Sequence, residues 1–152
     1  MQQTIPFTKE GYEKIKKEYD DLLKKRPDAV SHLRLAREMG DLSENGYYHA
    51  SKGKLTSLDS RLRHLKKLLL LGRIVENKGS LTADIGSHVV IETAEKKRLE
   101  YSLVGGFESE PSKGKISLFS PLGKALKGKR IGDTVYVITP SGEIKYSVIE
   151  IR

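Results

Sequence analysis

Leu33-Arg34-Leu35-Ala36-Arg37-Glu38-Met39-Gly40-Asp41-Leu42-Ser43-Glu44-Asn45-Gly46-Tyr47-Tyr48-His49-Ala50-Ser51 is the stretch that decides the fold. Its two ends carry apolar or small residues at helical spacing, and its middle carries turn formers. Read outward, one seam is Ile15, Tyr19, Leu22, Arg26, Ala29, Leu33 and Ala36. The other is Tyr48, Ser51, Leu55, Leu58, Leu62, Leu65 and Leu69. Alternating steps of three and four on both arms are what a two-helix seam requires. Paired antiparallel, Ile15 opposes Leu69, Leu22 opposes Leu62 and Ala36 opposes Tyr48, all centred on residue 42. The spacing therefore predicts a long helical hairpin with carboxylates at its tip.

The seam changes along its length. Tyr19, Leu22, Leu62 and Leu65 lie far from the turn; Ala29, Ala36, Gly40 and Ser51 lie near it. Small residues bring helices close but bury little area, so the tip is expected to be slim and the least stable part. Gly46 and Gly53 each weaken the second helix by about 1 kcal/mol relative to Ala. At the other end Thr8 is a candidate cap for the first helix, with Glu10 favoured in its first turn. A helix from there to about Gly40 would be roughly 45 to 50 Å long. Pro27 predicts a kink or a short restart at Arg26. The Arg26 stem can lie across Leu58 with its charge outward.

Beyond about residue 82 the period changes to two. Runs at His88 to Thr93, Glu100 to Val104, Lys115 to Leu118, Thr134 to Ile138 and Ile144 to Ile149 read as strands. Gly105-Gly106, Pro111-Ser112, Gly128, Gly132-Asp133 and Pro140-Ser141-Gly142 separate them as turns. Pro121 to Leu126 reads as a short helix capped by Ser120, with Pro121 at its first position. The expected fold class is thus α+β: an N-terminal antiparallel coiled-coil hairpin over 1–76, then a small antiparallel-sheet domain with one short helix over 77–152.

Composition sets the outer bounds. No apolar run is long enough for a membrane span, which needs about 18 residues. Met1 is followed by polar residues and Pro6, without an apolar signal core. There are no cysteines, so disulfides and thiolate metal sites are excluded. A cytoplasmic monomer is the expectation. The net charge is +8, with sixteen basic against eleven acidic residues before position 77 and twelve against nine after it. That excess suits a polyanionic neighbour such as nucleic acid, and equally a lysine-rich solvated surface.

Asp41 and Glu44 are the candidate chemistry. Two carboxylates three residues apart across a turn can share Mg²⁺, but a six-oxygen shell needs water and a second macromolecule. The competing reading is capping: Asp41 or Ser43 would cap the second helix, with Glu44 at its positive end. Behind the acids stand Arg34, Arg37, Lys52 and Lys54, which can lie beside phosphates or simply be solvated helix charge. His32, His49, His64 and His88 show no zinc spacing. Gly105-Gly106 lacks a phosphate-loop context.

Ala36-Arg37-Glu38-Met39-Gly40-Asp41-Leu42-Ser43-Glu44-Asn45, followed by Tyr48-His49-Ala50, resembles the hairpin-tip signature of bacterial Gre transcript cleavage and elongation factors, closest to the GreA branch. Pro6-Phe7-Thr8 with Gly11, and Arg26-Pro27, match the same family. So do Gly114-Lys115-Ile116-Ser117, Ser120-Pro121-Leu122-Gly123-Lys124-Ala125-Leu126, Gly128-Lys129, Gly132-Asp133, and Pro140 with Gly142. The resemblance spans essentially the whole chain. It implies a coiled coil that enters the secondary channel of RNA polymerase. It implies an FKBP-like C-terminal domain that docks at the channel rim through Ser120, Pro121, Leu122, Gly123 and Asp133. Asp41 and Glu44 would help hold the second Mg²⁺, shared with the polymerase active centre, and Leu42, Ser43 and Asn45 would shape the loop. The nascent RNA 3′ end would lie near Arg34, Arg37, Lys52 and Lys54. The polymerase would be the catalyst, cleaving backtracked RNA, and this chain would carry no cofactor of its own.

Met39, Gly46-Tyr47 and Lys52-Gly53-Lys54 depart from the family's usual residues, as does the basic net charge. The alternative reading is a channel-binding regulator that does not stimulate cleavage. A coiled-coil interaction module without a polymerase role is opposed by the C-terminal motifs. A prolyl isomerase is opposed by three Phe and no Trp, and fold alone does not carry function.

Overall fold

A computed structural model of the chain describes residues 3–41 and 45–152. It contains two compact units: residues Glu13–Leu71, and residues Met1–Tyr12 with Gly72–Arg152. The sequence reading divides the chain at 76/77; in the structure the residues on both sides of the hairpin group with the sheet.

The hairpin unit is built from α1 (Lys9–Glu38) and α2 (Gly46–Leu71). Ile15, Ala29, Leu33 and Ala36 are buried on α1, and Ser51, Leu62, Leu65 and Leu68 on α2. All but Leu68 are seam positions. Tyr19, Leu22, Tyr48, Leu55, Leu58 and Leu69 are half-buried, while Arg26 is exposed. Leu65 and Ala36 are completely enclosed, and a leucine so buried contributes about 1.5–3 kcal/mol. The arms are laced by Arg26 Nε to Asp59 Oδ1 at 2.7 Å and Arg61 Nε to Glu18 Oε1 at 2.6 Å. Both arginines are two-pronged, their Nη2 atoms reaching the second carboxylate oxygens at 3.2 and 3.0 Å. Helix α1 runs through Pro27 without the expected restart. One missing donor in a 30-residue helix is outweighed by the flanking turns and the seam burial beside it.

The sheet unit opens with β1 (Ile5–Phe7), which pairs in parallel with β2 (Gly72–Ile74). Among the described residues a five-stranded sheet follows, formed by β3 (His88–Thr93), β4 (Arg98–Val104), β5 (Lys115–Ser117), β6 (Thr134–Thr139) and β7 (Gly142–Ile151). Their spatial order is β5-β4-β3-β7-β6. The sheet is not wholly antiparallel as expected: β4 and β5 pair in parallel. The segment 105–114, with a 3-10 turn at Pro111–Lys113, carries the chain back before β5 begins. Inward residues alternate with outward ones along β6, where Val135 and Val137 are buried and Tyr136 and Ile138 exposed. With Ile85, Val89, Ile91, Leu103, Ile116, Leu126 and Val148, Val135 fills the face covered by α3 (Pro121–Leu126). A bulge on β7 opposite Val90/Ile91 shifts the β3–β7 register.

One carboxylate fastens the start of the chain to this sheet. Glu108 Oε2 accepts from the Thr8 backbone N–H at 3.0 Å and from the Gly105 N–H at 2.9 Å. The Thr8 hydroxyl donates to Glu108 Oε1 and accepts from the Gly11 N–H at 3.1 Å, capping α1 as expected. A β-carbon on Gly11 would lie 1.8 Å from Glu108 Oε1, so only glycine admits the clamp.

Candidate functional site at the hairpin tip

Helix α1 ends with the Met39 N–H on the Ala36 carbonyl at 3.3 Å, and Gly40 follows at φ 118°, a left-handed angle that glycine tolerates. Asp41 is then exposed. Leu42, Ser43 and Glu44 lie outside the described residues, and with them one of the two carboxylates and most of the loop-shaping set. On the far side Asn45 does two things. Its Oδ1 accepts from the Tyr48 N–H at 3.0 Å, capping α2, and its Nδ2 donates to the Ala36 carbonyl at 2.9 Å. One side chain thus satisfies an orphan donor of α2 and an end carbonyl of α1. This corrects the expectation that Asp41 caps α2; the other candidate, Ser43, lies outside the described residues. The helix starts at Gly46, and the cap falls to the residue immediately before it.

The four cations are all exposed, but they do not form one collar. Arg34 and Arg37 each follow a buried seam residue, Leu33 and Ala36, and share a flank of α1. Lys52 follows Ser51 and faces the same flank, since seam-plus-one positions adjoin across an antiparallel pair. Lys54 lies two residues further, about 200° around the helix, on the opposite flank. The Lys52 Nζ stands 5.9 Å from the Tyr48 ring centroid. On the Lys54 side, Leu35, Glu38, Met39 and Tyr47 line a shallow recess of about 370 Å³. The sequence signal for it was three apolar residues off the seam.

Electrostatics along the rods is governed by the two ion pairs. Hydrogen bonding from Arg61 holds the Glu18 carboxyl below its ordinary pKa, and that from Arg26 does the same for Asp59. The arginines are correspondingly raised. Among the described residues no group of three His, Cys, Asp or Glu side chains could hold a metal. Asp41 is a hard oxygen donor open to solvent, the ligand type Mg²⁺ prefers. His88 instead spans two strands, Nδ1 to Ser102 Oγ and Nε2 to Glu100 Oε2, both at 3.2 Å.

In the sheet unit the docking candidates divide by role. Ser120 Oγ accepts from the Gly123 N–H at 3.1 Å and donates to the Ser117 carbonyl at 2.6 Å, capping α3. Gly123 is buried, and a β-carbon there would lie 2.0 Å from the Ser117 carbonyl oxygen. Leu122 packs half-buried on the core. Asp133 Oδ2 accepts from the Arg130 N–H at 2.8 Å, fixing the Gly132 turn. Pro121 and Asp133 are exposed and can meet a partner; Ser120, Leu122 and Gly123 set the shape behind them. Glu108, missed in the sequence, has no periodic or motif signal. No helix among the described residues is long and apolar enough to cross a membrane.

Both halves match known families of transcription factor domains. Residues 5–74 match the family described as "Transcription elongation factor, N-terminal" and residues 79–152 that described as "Transcription elongation factor, GreA/GreB, C-term". The chain belongs to the GreA/GreB transcription elongation factor family. It is 41% identical to transcription elongation factor GreA of a Nitratiruptor species, covering 99% of this chain and 94% of that one. It is 43% identical to the GreA of Syntrophus aciditrophicus, covering 97% and 94%. Against a GreA of Lactococcus lactis subsp. cremoris the identity is 36%, covering 99% of each. Among solved structures, the GreA factor homolog 1 protein of Thermus thermophilus is 28% identical over 98% of this chain and 99% of that one, with a TM-score of 0.47.

Proposed function

We propose that this chain is an elongation factor that binds RNA polymerase, places its hairpin in the secondary channel and stimulates cleavage of backtracked RNA. The observation that carries the reading is the division of labour at the tip. Asn45 supplies the cap of α2, so that cap does not depend on Asp41, which stands exposed at the end of the hairpin. A carboxylate in that position adds hard oxygen to a cation site completed by another macromolecule. Asp41 and Glu44 are the residues that would hold Mg²⁺ shared with the polymerase, which would supply a metal-activated water and charge stabilisation at the scissile phosphate. Arg34, Arg37 and Lys52, on one flank, would steady RNA phosphates, with Lys54 reaching the other side. Pro121 and Asp133 would meet the channel rim on a surface shaped by Ser120, Leu122 and Gly123.

The test is a cleavage assay on a stalled elongation complex. Asp41→Asn and Glu44→Gln keep size but remove the charge a hard cation needs, so each should bring cleavage close to background. Competition with the parent protein for polymerase should be unchanged, and added Mg²⁺ should partly restore the single variants. Full cleavage by the double variant would leave a channel-occupying regulator as the better account.

A further inference from the structure

The tip recess is an oddity on a charged rod. Leu35 is 47% exposed, Met39 70% and Tyr47 44%, yet none belongs to the seam. Leu35 lies in the last turn of α1 and Met39 immediately follows its end, and both line the recess. Tyr47 precedes the seam residue Tyr48 and approaches them from α2, so the three converge in one cavity. Its volume, about 370 Å³, falls at the lower end of small-ligand sites, about 300–1,000 Å³.

We propose that this recess is a stacking site for one unpaired nucleobase, the chain's cations holding the attached phosphates. The proposal rests on the reading that the hairpin meets RNA. A tyrosine ring, a polarizable thioether and a leucine side chain offer an apolar lining that accepts any base. Glu38 at the rim is an acceptor. It suits the exocyclic amines and ribose hydroxyls of a nucleotide and repels a bare phosphate or an acidic peptide. The cations complete the match. Lys54 lies one heptad after Tyr47 and so on the same flank, about 10 Å along α2, while Arg34, Arg37 and Lys52 occupy the other. An apolar peptide would use the recess alone; a nucleotide strand also brings phosphates that suit these cations.

The experiment places 4-thiouridine at the RNA 3′ end of a stalled, backtracked elongation complex, adds the full-length protein and maps photocrosslinks by mass spectrometry. Crosslinks should fall on the segments holding Leu35 to Met39 and Tyr47. Met39→Ser with Tyr47→Ser should remove them and raise the protein concentration for half-maximal cleavage about tenfold, with an unchanged melting curve. Tyr47→Phe, which keeps the ring, should restore the crosslink. Asp41→Asn should still crosslink while failing to cleave, which separates this proposal from the metal-presenting one. Crosslinks confined to Arg34, Arg37 or Lys52, with an unchanged half-maximal concentration in the serine variant, would overturn the stacking site. So would a serine variant that loses competition for polymerase on complexes without backtracked RNA, because the recess would then be a protein contact. If Asp41→Asn with Glu44→Gln cleaves fully while crosslinks persist at Tyr47, the stacking site stands and the metal reading falls.

Discussion

Asn45 shows what one residue settles that its neighbours cannot. Asp41, Ser43 and Asn45 are all good cap residues, and composition alone offers no way to choose among them. The choice is made by where α2 starts, a property of the seam register that fixes which amide becomes the third of the helix. Once Asn45 bridges the Tyr48 N–H and the Ala36 carbonyl, the turn is closed by a side chain that carries no charge. Replacing it with Ala removes both bonds and should destabilise the hairpin by about 1 kcal/mol, within the range of about 0.5–2 for lost caps. Hydrogen exchange should quicken at Tyr48 and in the first turn of α2. Thermal melting of Asn45→Ala indistinguishable from the parent would show that the cap lies elsewhere. Glu108 is the opposite kind of residue. Its partner Thr8 is 100 positions away, and nothing local in the sequence announces the contact.

At the scale of elements, the hairpin was legible because its seam is a repeated constraint. Each of fourteen positions is small or apolar except Arg26, and the buried set returns the same stripe. The short parallel ladders β1–β2 and β4–β5 were not. Three paired residues in each give no period to read, and their partners lie far off in sequence. That is why the N-terminal residues read as the start of a hairpin rather than as part of the sheet. The ion pairs that lace α1 to α2 carry a pH consequence. Glu18 and Asp59 have lowered folded pKa values, chiefly through hydrogen bonds from Arg61 and Arg26. Their stabilisation is therefore complete above the ordinary carboxylate value of about 4 and lost as pH falls through the lowered folded values. Hairpin melting followed by circular dichroism should be flat from about pH 5 to 8 and weaken modestly in acid, because both pairs face solvent. Glu18→Gln with Asp59→Asn should shrink that acid step; an identical step in the double variant would assign it to other groups.

At the scale of the whole molecule, two compact units allow binding and tip chemistry to fail separately. Pro121 is exposed at the first position of α3, where its missing N–H costs nothing and an acidic replacement suits the helix dipole. Pro121→Asp should therefore fold normally while placing a charge on the surface proposed to meet polymerase. Its expected signature is a half-maximal concentration raised about tenfold, as for loss of one interface anchor, with the parent's plateau of cleavage regained at saturation. Asp41→Asn should do the reverse, keeping the half-maximal concentration and losing the plateau. The two residues belong to different compact units, so the double variant should show both defects at full size, because independent sites add. A Pro121→Asp variant that lowers the plateau without shifting the concentration dependence would mean that the sheet unit acts on the chemistry itself. One that shifts neither would move the docking surface away from the start of α3.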